Sequence, residues 1–391
     1  MALPLQSLWR RILAHGARNC LPSSEGNAAR LLDSGRAILE ASRELIRGAE
    51  RTLHFETYIW SDDRSGREML ELLKAARDRG VQIRGIVDHV GSWSSDSLLR
   101  EARDGGMDVR AFHPISLRLP WRKWTRRNHR KLLIADGSRA IVSSANWGDD
   151  YNCAVNPRSY RDLGLELLGP ILDDLSRDFA ASWARVRGSA LPGAPVSGPP
   201  EALPSGEWVA GIPIQMVSSL ARRPQPMRRH LLMVLRQVRS SAIIASAYFV
   251  PDPQVLRTLA RMARRGVQTD LLLPGTSDHP AIQEASRATF GRLLQTGVRI
   301  WERQGRMLHS KAAVLDREIV ILGSANLDTL SFRRNLELNL VLRSRPLAEI
   351  LETTLEHDRD QSLPWNLEHW NAIPAWRKGL QRMIYALWRW L

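Results

Sequence analysis

Apolar and polar positions along this chain fall into two rhythms. Short apolar runs such as Leu53 to Trp60 (LHFETYIW) and Ile243 to Val250 (IIASAYFV) have the length of β-strands, and longer stretches between them have helical length. Ala76 to Gln82 (ARDRGVQ) is echoed by Ala263 to Gln268 (ARRGVQ), and a strand-like apolar run follows each. The order strand, helix, strand, helix, strand therefore occurs twice, which predicts duplicated α/β units.

The duplication is sharpest in one motif. His129 to Asn146 (HRKLLIADGSRAIVSSAN) and His309 to Asn326 (HSKAAVLDREIVILGSAN) share seven of 18 positions without a gap. Between the halves, Gly188 to Gly206 is dense in Pro, Gly, Ser and Ala and has no periodicity, so it reads as a linker. The expected division is an amphipathic N-terminal segment (1–25), a first domain (26–187), the linker (188–206), a second domain (207–365) and a basic, Trp-rich helix (366–391). Pro114 to Arg127, which carries Trp121 and Trp124, is a basic insertion in the first half.

Composition narrows the classes. A length of 391 residues exceeds the roughly 250–300 that one core accommodates, in keeping with two domains. With 43% hydrophobic and 25% charged residues the chain is globular, and no run approaches the ~18 apolar residues of a membrane span. The net charge of +15 implies a polyanionic partner, nucleic acid or an anionic lipid surface. Two cysteines, Cys20 and Cys153, suggest a reducing compartment. Nearly all the basic residues are Arg; lysine occurs only at 74, 123, 131, 311 and 378, which singles out Lys131 and Lys311 within the motif.

On a strand, His129 and Lys131 would project from one face, with Leu132 and Ile134 turned to the core. Asp136-Gly137 marks a turn, and Asn146 lies past the end of the returning strand. His309, Lys311, Asp316 and Asn326 repeat the set. About 0.1 His-x-Lys pairs are expected by chance from this composition, and two occur in the same longer pattern. Two imidazoles can exchange acid, base and nucleophile roles at a phosphodiester, while Lys131, Lys311, Asn146 and Asn326 would surround the phosphoryl oxygens with donors. Asp136 and Asp316 complete the motif and are read as turn-capping rather than reacting groups. Ser144 and Ser324 are expected to support the Asn loop or touch phosphate. Ser143 stands where the second copy has Gly323, and would be strained if that position requires a positive φ. No metal or cofactor is expected, because helical His-x-x-x-His pairs are absent and Lys neighbours each His.

The paired motif resembles that of the phospholipase D superfamily over about Gly26 to Ser344. Glu56 to Trp60 with Asp62, Asp63 and Gly66, then Arg127 to Lys131, then Gly323 to Asp328 running into Ser331 to Glu337, are more similar still to bacterial cardiolipin synthases. The resemblance implies two pseudo-symmetric α/β/α sandwich domains with the active site at their interface. It further implies transfer of a phosphatidyl group between phosphatidylglycerol molecules through a phosphohistidine, releasing glycerol, with His129 as nucleophile and His309 as general acid. Phospholipid hydrolysis to phosphatidic acid and phosphodiester cleavage by a nuclease are the alternatives. Asp162 and Glu337, 33 and 28 residues after the histidines of their own copies, resemble the family's orienting acids. Some members carry paired N-terminal membrane helices; this chain resembles the shorter, peripheral type, at the cytoplasmic face of the bacterial inner membrane.

The C-terminus discriminates between lipid and nucleic acid. Five of the 14 tryptophans fall in the last 27 residues. From Pro374, Trp376, Leu380, Met383, Ile384, Leu387 and Leu391 recur at helical spacing, with Arg377, Lys378, Gln381, Arg382 and Arg389 on the other side. That pattern predicts a membrane-surface helix, with Trp376, Arg377, Lys378, Arg382, Trp388, Arg389 and Trp390 as its contacts. Anionic phospholipid is the expected partner and nucleic acid is not.

Overall fold

The computed structural model describes residues 23–115, 126–191, 197–220 and 225–388. Most of the N-terminal segment, Trp121, Trp124, Arg389 and Trp390 lie outside these residues. The first half runs β1 (Ser24–Leu32), α1 (Gly35–Gly48), β2 (Thr52–Thr57), α2 (Arg64–Asp78), β3 (Gln82–Asp88), α3 (Asp96–Asp104), β4 (Asp108–Phe112), β5 (Leu132–Ala135), β6 (Arg139–Ser143), β7 (Gly164–Leu168) and α4 (Ile171–Arg185). The second runs β8 (Trp208–Ser218), α5 (Pro226–Gln237), β9 (Ser241–Ala245), β10 (Phe249–Val250), α6 (Pro253–Arg264), β11 (Gln268–Pro274), α7 (Pro280–Arg287), α8 (Phe290–Leu294), β12 (Arg299–Arg303), β13 (Ala312–Leu315) and β14 (Ile319–Gly323). It continues through β15 (Leu327–Asp328), α9 (Thr329–Arg333), β16 (Leu338–Arg343), α10 (Arg345–Asp360) and β17 (Ser362–Trp365) to α11 (Leu367–Ala372) and α12 (Ala375–Trp388).

Local chemistry sets the helix boundaries. Ser34 caps α1 by accepting from the Ala37 N–H, and Asp63 caps α2 through Gly66. In α1, Ile38, Leu39, Ala41, Leu45 and Ile46 are buried at the spacing of one helix face. Asp252 caps α6, whose first residue, Pro253, suits a position where no N–H is needed.

Fifteen strands form one sheet, ordered β17-β12-β11-β9-β13-β14-β16-β8-β1-β7-β6-β5-β2-β3-β4, and β10 pairs separately with β15. The halves join through the antiparallel β1–β8 pair at the centre, and strand order is mirrored outward from it. Helices α4 and α10 share one face, where Leu175, Phe179, Trp183, Leu347, Leu351 and Leu355 belong to a core continuous across both halves. The opposite face carries separate cores under α1–α3 and under α5, α6 and α8. Helices thus cover both faces, which explains why β5, β6, β7, β13 and β14 read as almost unbroken apolar runs. These are two pseudo-symmetric α/β/α sandwiches sharing a seam.

Three readings of the sequence meet the structure here. First, the motif aspartates, which complete the His/Lys/Asn motif and are read as turn-capping, do sit in the hairpin turns, away from their histidines. Asp136 (φ 54°) and Gly137 (φ 68°) form the β5–β6 turn, and Asp316 (φ 52°) and Arg317 (φ 54°) the β13–β14 turn, with the two positive φ values of a tight hairpin. Asp136 accepts from the backbone N–H groups of Glu50, Arg51 and Thr52, and Asp316 from those of Arg239, Ser240 and Ser241. Both therefore tie the hairpin to the start of the neighbouring strand, far from any reacting group.

Second, neither Ser143 nor Gly323 has a positive φ. The difference is one of space. Gly323 pairs across the sheet with Asn339, and a Cβ there would lie 2.4 Å from Asn339 Oδ1 and 2.2 Å from Leu338 O. In the first half the glycine is on the other strand: Ser143 pairs with Gly164, where an added Cβ would meet the Ser143 Cβ at 3.1 Å. Each copy keeps one glycine in the pair and exchanges which strand supplies it.

Third, the C-terminal region is two helices broken before Pro374, and α12 docks on α7 and the start of β10's connection rather than standing off. Arg377 pairs with Glu284, Lys378 Nζ donates to Asn371 O and Trp388 turns inward, so these three of the expected lipid contacts are engaged with protein. Among the described residues no helix is long and apolar enough to cross a membrane.

Candidate active site

Both histidines precede their strands: β5 begins at Leu132 and β13 at Ala312, so His129, Lys131, His309 and Lys311 lie on the connections leading in. Those connections are held by short parallel bridges to the other half. The His129 N–H donates to Leu336 O (2.9 Å) and the Leu336 N–H to Arg127 O (2.8 Å). In the second set, the His309 N–H donates to Arg161 O (2.9 Å) and the Arg161 N–H to Met307 O (2.8 Å). Each bridge brings up the residue that follows it, Glu337 or Asp162.

The result is a crossed pairing. Nδ1 of His129 lies 3.1 Å from Glu337 Oε2, and Nδ1 of His309 lies 2.9 Å from Asp162 Oδ1. Sequence distance had matched each acid with its own copy's histidine; the bridges exchange them. Ser144 and Ser324 are fully buried and bond the acids, not the pocket: Ser144 Oγ donates to Asp162, and Ser324 Oγ to Glu337 (2.5 Å). Of the two roles expected of these serines, contact with phosphate is corrected, because each side chain is directed to the carboxylate just ahead of β7 or β16. With Nδ1 held by a carboxylate, Nε2 of His129 is left to meet a substrate, whereas Nε2 of His309 has Lys311 Nζ at 3.0 Å, which a substrate oxygen would have to displace or share.

Electrostatics follow from burial. His129 is pushed down to about 4 by loss of water, against the opposing pull of Glu337. Burial lowers His309 too, with Asp162 opposing. For Asp162 and Glu337, burial acts upward, but the facing histidine and neighbouring lysine and serine outweigh it and leave both below the usual carboxylate range. Lys131 falls well below its ordinary value through burial and the charge of Lys311; burial brings Lys311 to about 8. Lys131 Nζ donates to His129 O (2.6 Å), and Lys311 Nζ to His309 O (2.5 Å).

Asn146 Oδ1 accepts from the Ile59 N–H (3.1 Å) and its Nδ2 donates to the Tyr151 hydroxyl (2.6 Å). Asn326 Oδ1 accepts from the Tyr248 N–H (3.3 Å). His129, His309, Asn146 and Asn326 all line one open cavity of about 420 Å³. Lys131 and Lys311 are buried beside the histidines, 4% and 3% exposed, and Lys311 Nζ lies 3.0 Å from His309 Nε2. Among the described residues no His, Cys, Asp or Glu group has the makeup of a metal site.

Several pocket residues escaped the sequence reading. Tyr58, Tyr151 and Tyr248 line the cavity, and the Tyr160 ring stacks on His309 at 5.4 Å. The Tyr248 hydroxyl donates to Asp278, 2.9 Å from each oxygen. Asp328 caps α9 through Ser331 and is pushed up to about 6 by burial. The signal was there: the chain has five tyrosines, and four of them meet at this pocket, the same scarcity argument that singled out the lysines.

A family model described as a cardiolipin synthase, phospholipase D-like domain matches residues 43–183 and 231–359. The chain belongs to this family. It is 32% identical over 351 residues to a cardiolipin synthase A of Pseudomonas entomophila, covering 88% of this chain and 70% of the relative. It is 31% identical over 366 residues to a cardiolipin synthase of Halalkalibacterium halodurans, covering 92% and 70%. With cardiolipin synthase B of Escherichia coli K12 it shares 30% over 342 residues, covering 85% and 80%. The crystal structure of a phosphatidylserine synthase from Haemophilus influenzae Rd KW20 superposes with a TM-score of 0.73 at 13% identity, over 98% of this chain and 100% of that one. That likeness shows a shared fold across both halves of this cardiolipin synthase family member, and the phospholipase D-like description comes from the family model.

Proposed function

We propose that this pocket makes cardiolipin from two molecules of phosphatidylglycerol. Nε2 of His129 attacks the phosphorus of the first; the bond from phosphorus to the glycerol headgroup oxygen breaks, and His309 delivers a proton to that oxygen, releasing glycerol. A hydroxyl of the second phosphatidylglycerol then gives its proton to His309 and attacks phosphorus, breaking the P–N bond and regenerating His129. Lys131, Lys311, Asn146 and Asn326 hold the phosphoryl oxygens as charge shifts among them. The entering phosphodiester anion offsets the burial that depresses both histidines, so that His309 can carry its proton.

The observation that carries this reading is the crossed pairing of two buried His–carboxylate sets on one cavity, which supplies two oriented Nε2 atoms where a single phosphorus can meet both. The asymmetry of the walls supports these roles. Asp278 is an acid in a pocket for an anion, so it disfavours phosphate beside it and suits a group rich in hydroxyl donors. It stands on the Tyr248 side with His309, where the glycerol leaves and the acceptor enters. We place the reaction at the cytoplasmic face of the bacterial inner membrane.

The test is incubation of the purified full chain with phosphatidylglycerol vesicles in chelator, with products resolved by mass. Cardiolipin and glycerol in equal amounts are expected. Phosphatidic acid without cardiolipin would make water the acceptor, and DNA cleavage without lipid turnover would sink the lipid reading.

A further inference from the structure

Helix α12 meets the rest of the molecule with its mixed face inward. Arg377 bonds one oxygen of Glu284 (2.7 Å), Gln381 donates to the other (2.8 Å), and the Tyr385 hydroxyl donates to Pro251 O (2.6 Å). Gln381 is the fully buried residue of the helix. Its apolar stripe is turned out: Trp376 is 71% exposed, Leu380 42%, Met383 55% and Leu387 62%. At 3.6 residues per turn these four fall on one line, about a third of a turn from the docked face. An ordinary surface helix of a globular protein does the reverse and buries its apolar stripe.

The stripe adjoins the reaction pocket. Trp388, on the same helix, and Ile282, in α7 beneath it, both line the cavity. At the corresponding connection of the first half, between β3 and α3, Val90 lines the cavity and Trp93 is 62% exposed. Apolar side chains therefore flank the mouth from both halves.

We propose that α12 docks the protein on an anionic bilayer surface, with Trp376, Leu380, Met383 and Leu387 entering the apolar boundary of the leaflet and holding the mouth at the level of the lipid phosphates. Charge selects this occupant. The chain carries +15, and the exposed Arg382 adds to it on the flank of α12 turned away from both the stripe and the docked face; an anionic leaflet attracts that charge and a second copy of the same chain is repelled by it. This deepens the proposed function by naming the physical form of its substrate, and the docking itself needs no turnover.

Cosedimentation of the full chain with phosphatidylglycerol vesicles, and separately with phosphatidylcholine vesicles, tests it. The wild-type protein should pellet with the first and much less with the second. Leu380→Gln/Met383→Gln should bind phosphatidylglycerol vesicles at least tenfold more weakly, and Trp376→Ala should shift the same way. Turnover on vesicles should fall in step, whereas turnover of dispersed short-chain phosphatidylglycerol should be unchanged. His129→Ala should pellet like wild type whatever its activity, which separates this inference from the reaction. The proposal is overturned if wild type stays in the supernatant, if both stripe variants pellet as wild type does, or if turnover of dispersed lipid falls equally. Sedimentation velocity showing a wild-type dimer that the stripe variant converts to monomer would overturn it as well, by making the stripe a contact between copies.

Discussion

The two half-sites share their ionic parts and differ in their walls. Around His129 and around His309 the same sequence of contacts recurs: histidine to carboxylate, carboxylate to motif serine, lysine to the histidine's own carbonyl. Beyond that ring they diverge. His309 stacks on Tyr160 and has Tyr151 at 5.6 Å and Tyr248 at 6.4 Å, whereas His129 has Tyr58 at 5.2 Å. Where the first half places Tyr160 two residues before Asp162, the second places Asn335 two before Glu337. Where Asn146 meets the Tyr151 hydroxyl, the backbone of Asn326 meets Ser331. Duplication preserved what any phosphodiester requires, while the walls specialised. A site of identical halves would have no reason to give its histidines different tasks.

The division of labour can be broken directly. His129→Ala and His309→Ala should each lower phosphatidylglycerol turnover on the order of 10³-fold or more, with thermal unfolding little changed. A phosphatidyl ester with an acidic leaving group, such as nitrophenol, separates them, because departure then needs no proton. His309→Ala should still release nitrophenol in a burst, and His129→Ala should not; the opposite pattern would reverse the roles.

Crossing is tested next, at an expected loss of about 10²–10⁴-fold for Glu337→Gln or Asp162→Asn. Glu337→Gln should remove the nitrophenol burst, since it disorients the nucleophile in the other half, while Asp162→Asn should spare it. If each acid served its own copy, the two results would trade places. A smaller effect tests the walls. Tyr160→Asn, which gives the first half the residue of the second, should remove an aromatic contact worth ~0.5–1.5 kcal/mol, a change of roughly 2- to 10-fold in rate. No change in kcat would show that the stacked ring leaves His309 unaffected.

How much of this was legible before the fold was known depended on distance along the chain. The His, Lys and Asn sets were readable because each lies within a single copy of 18 residues and repeats. The sandwich halves followed from apolar runs of strand length. The partner of each acid was not readable, because the Asn128–Leu336 and Arg161–Leu308 bridges join residues that no local pattern relates. Nor was the roll of α12: composition located its apolar stripe, but the Glu284 carboxylate that turns Arg377 and Gln381 inward lies more than 90 residues away. Gly323 misled for a different reason. A glycine can answer either a dihedral or a close approach, and its strand partner decides which.

The crossed pairs also make activity a gauge of the seam between the halves. If β1 and β8 drew apart slightly, Glu337 and Asp162 would leave their histidines together, while each sandwich kept the separate core on its other face. Mild denaturant should therefore silence the enzyme before it melts either half.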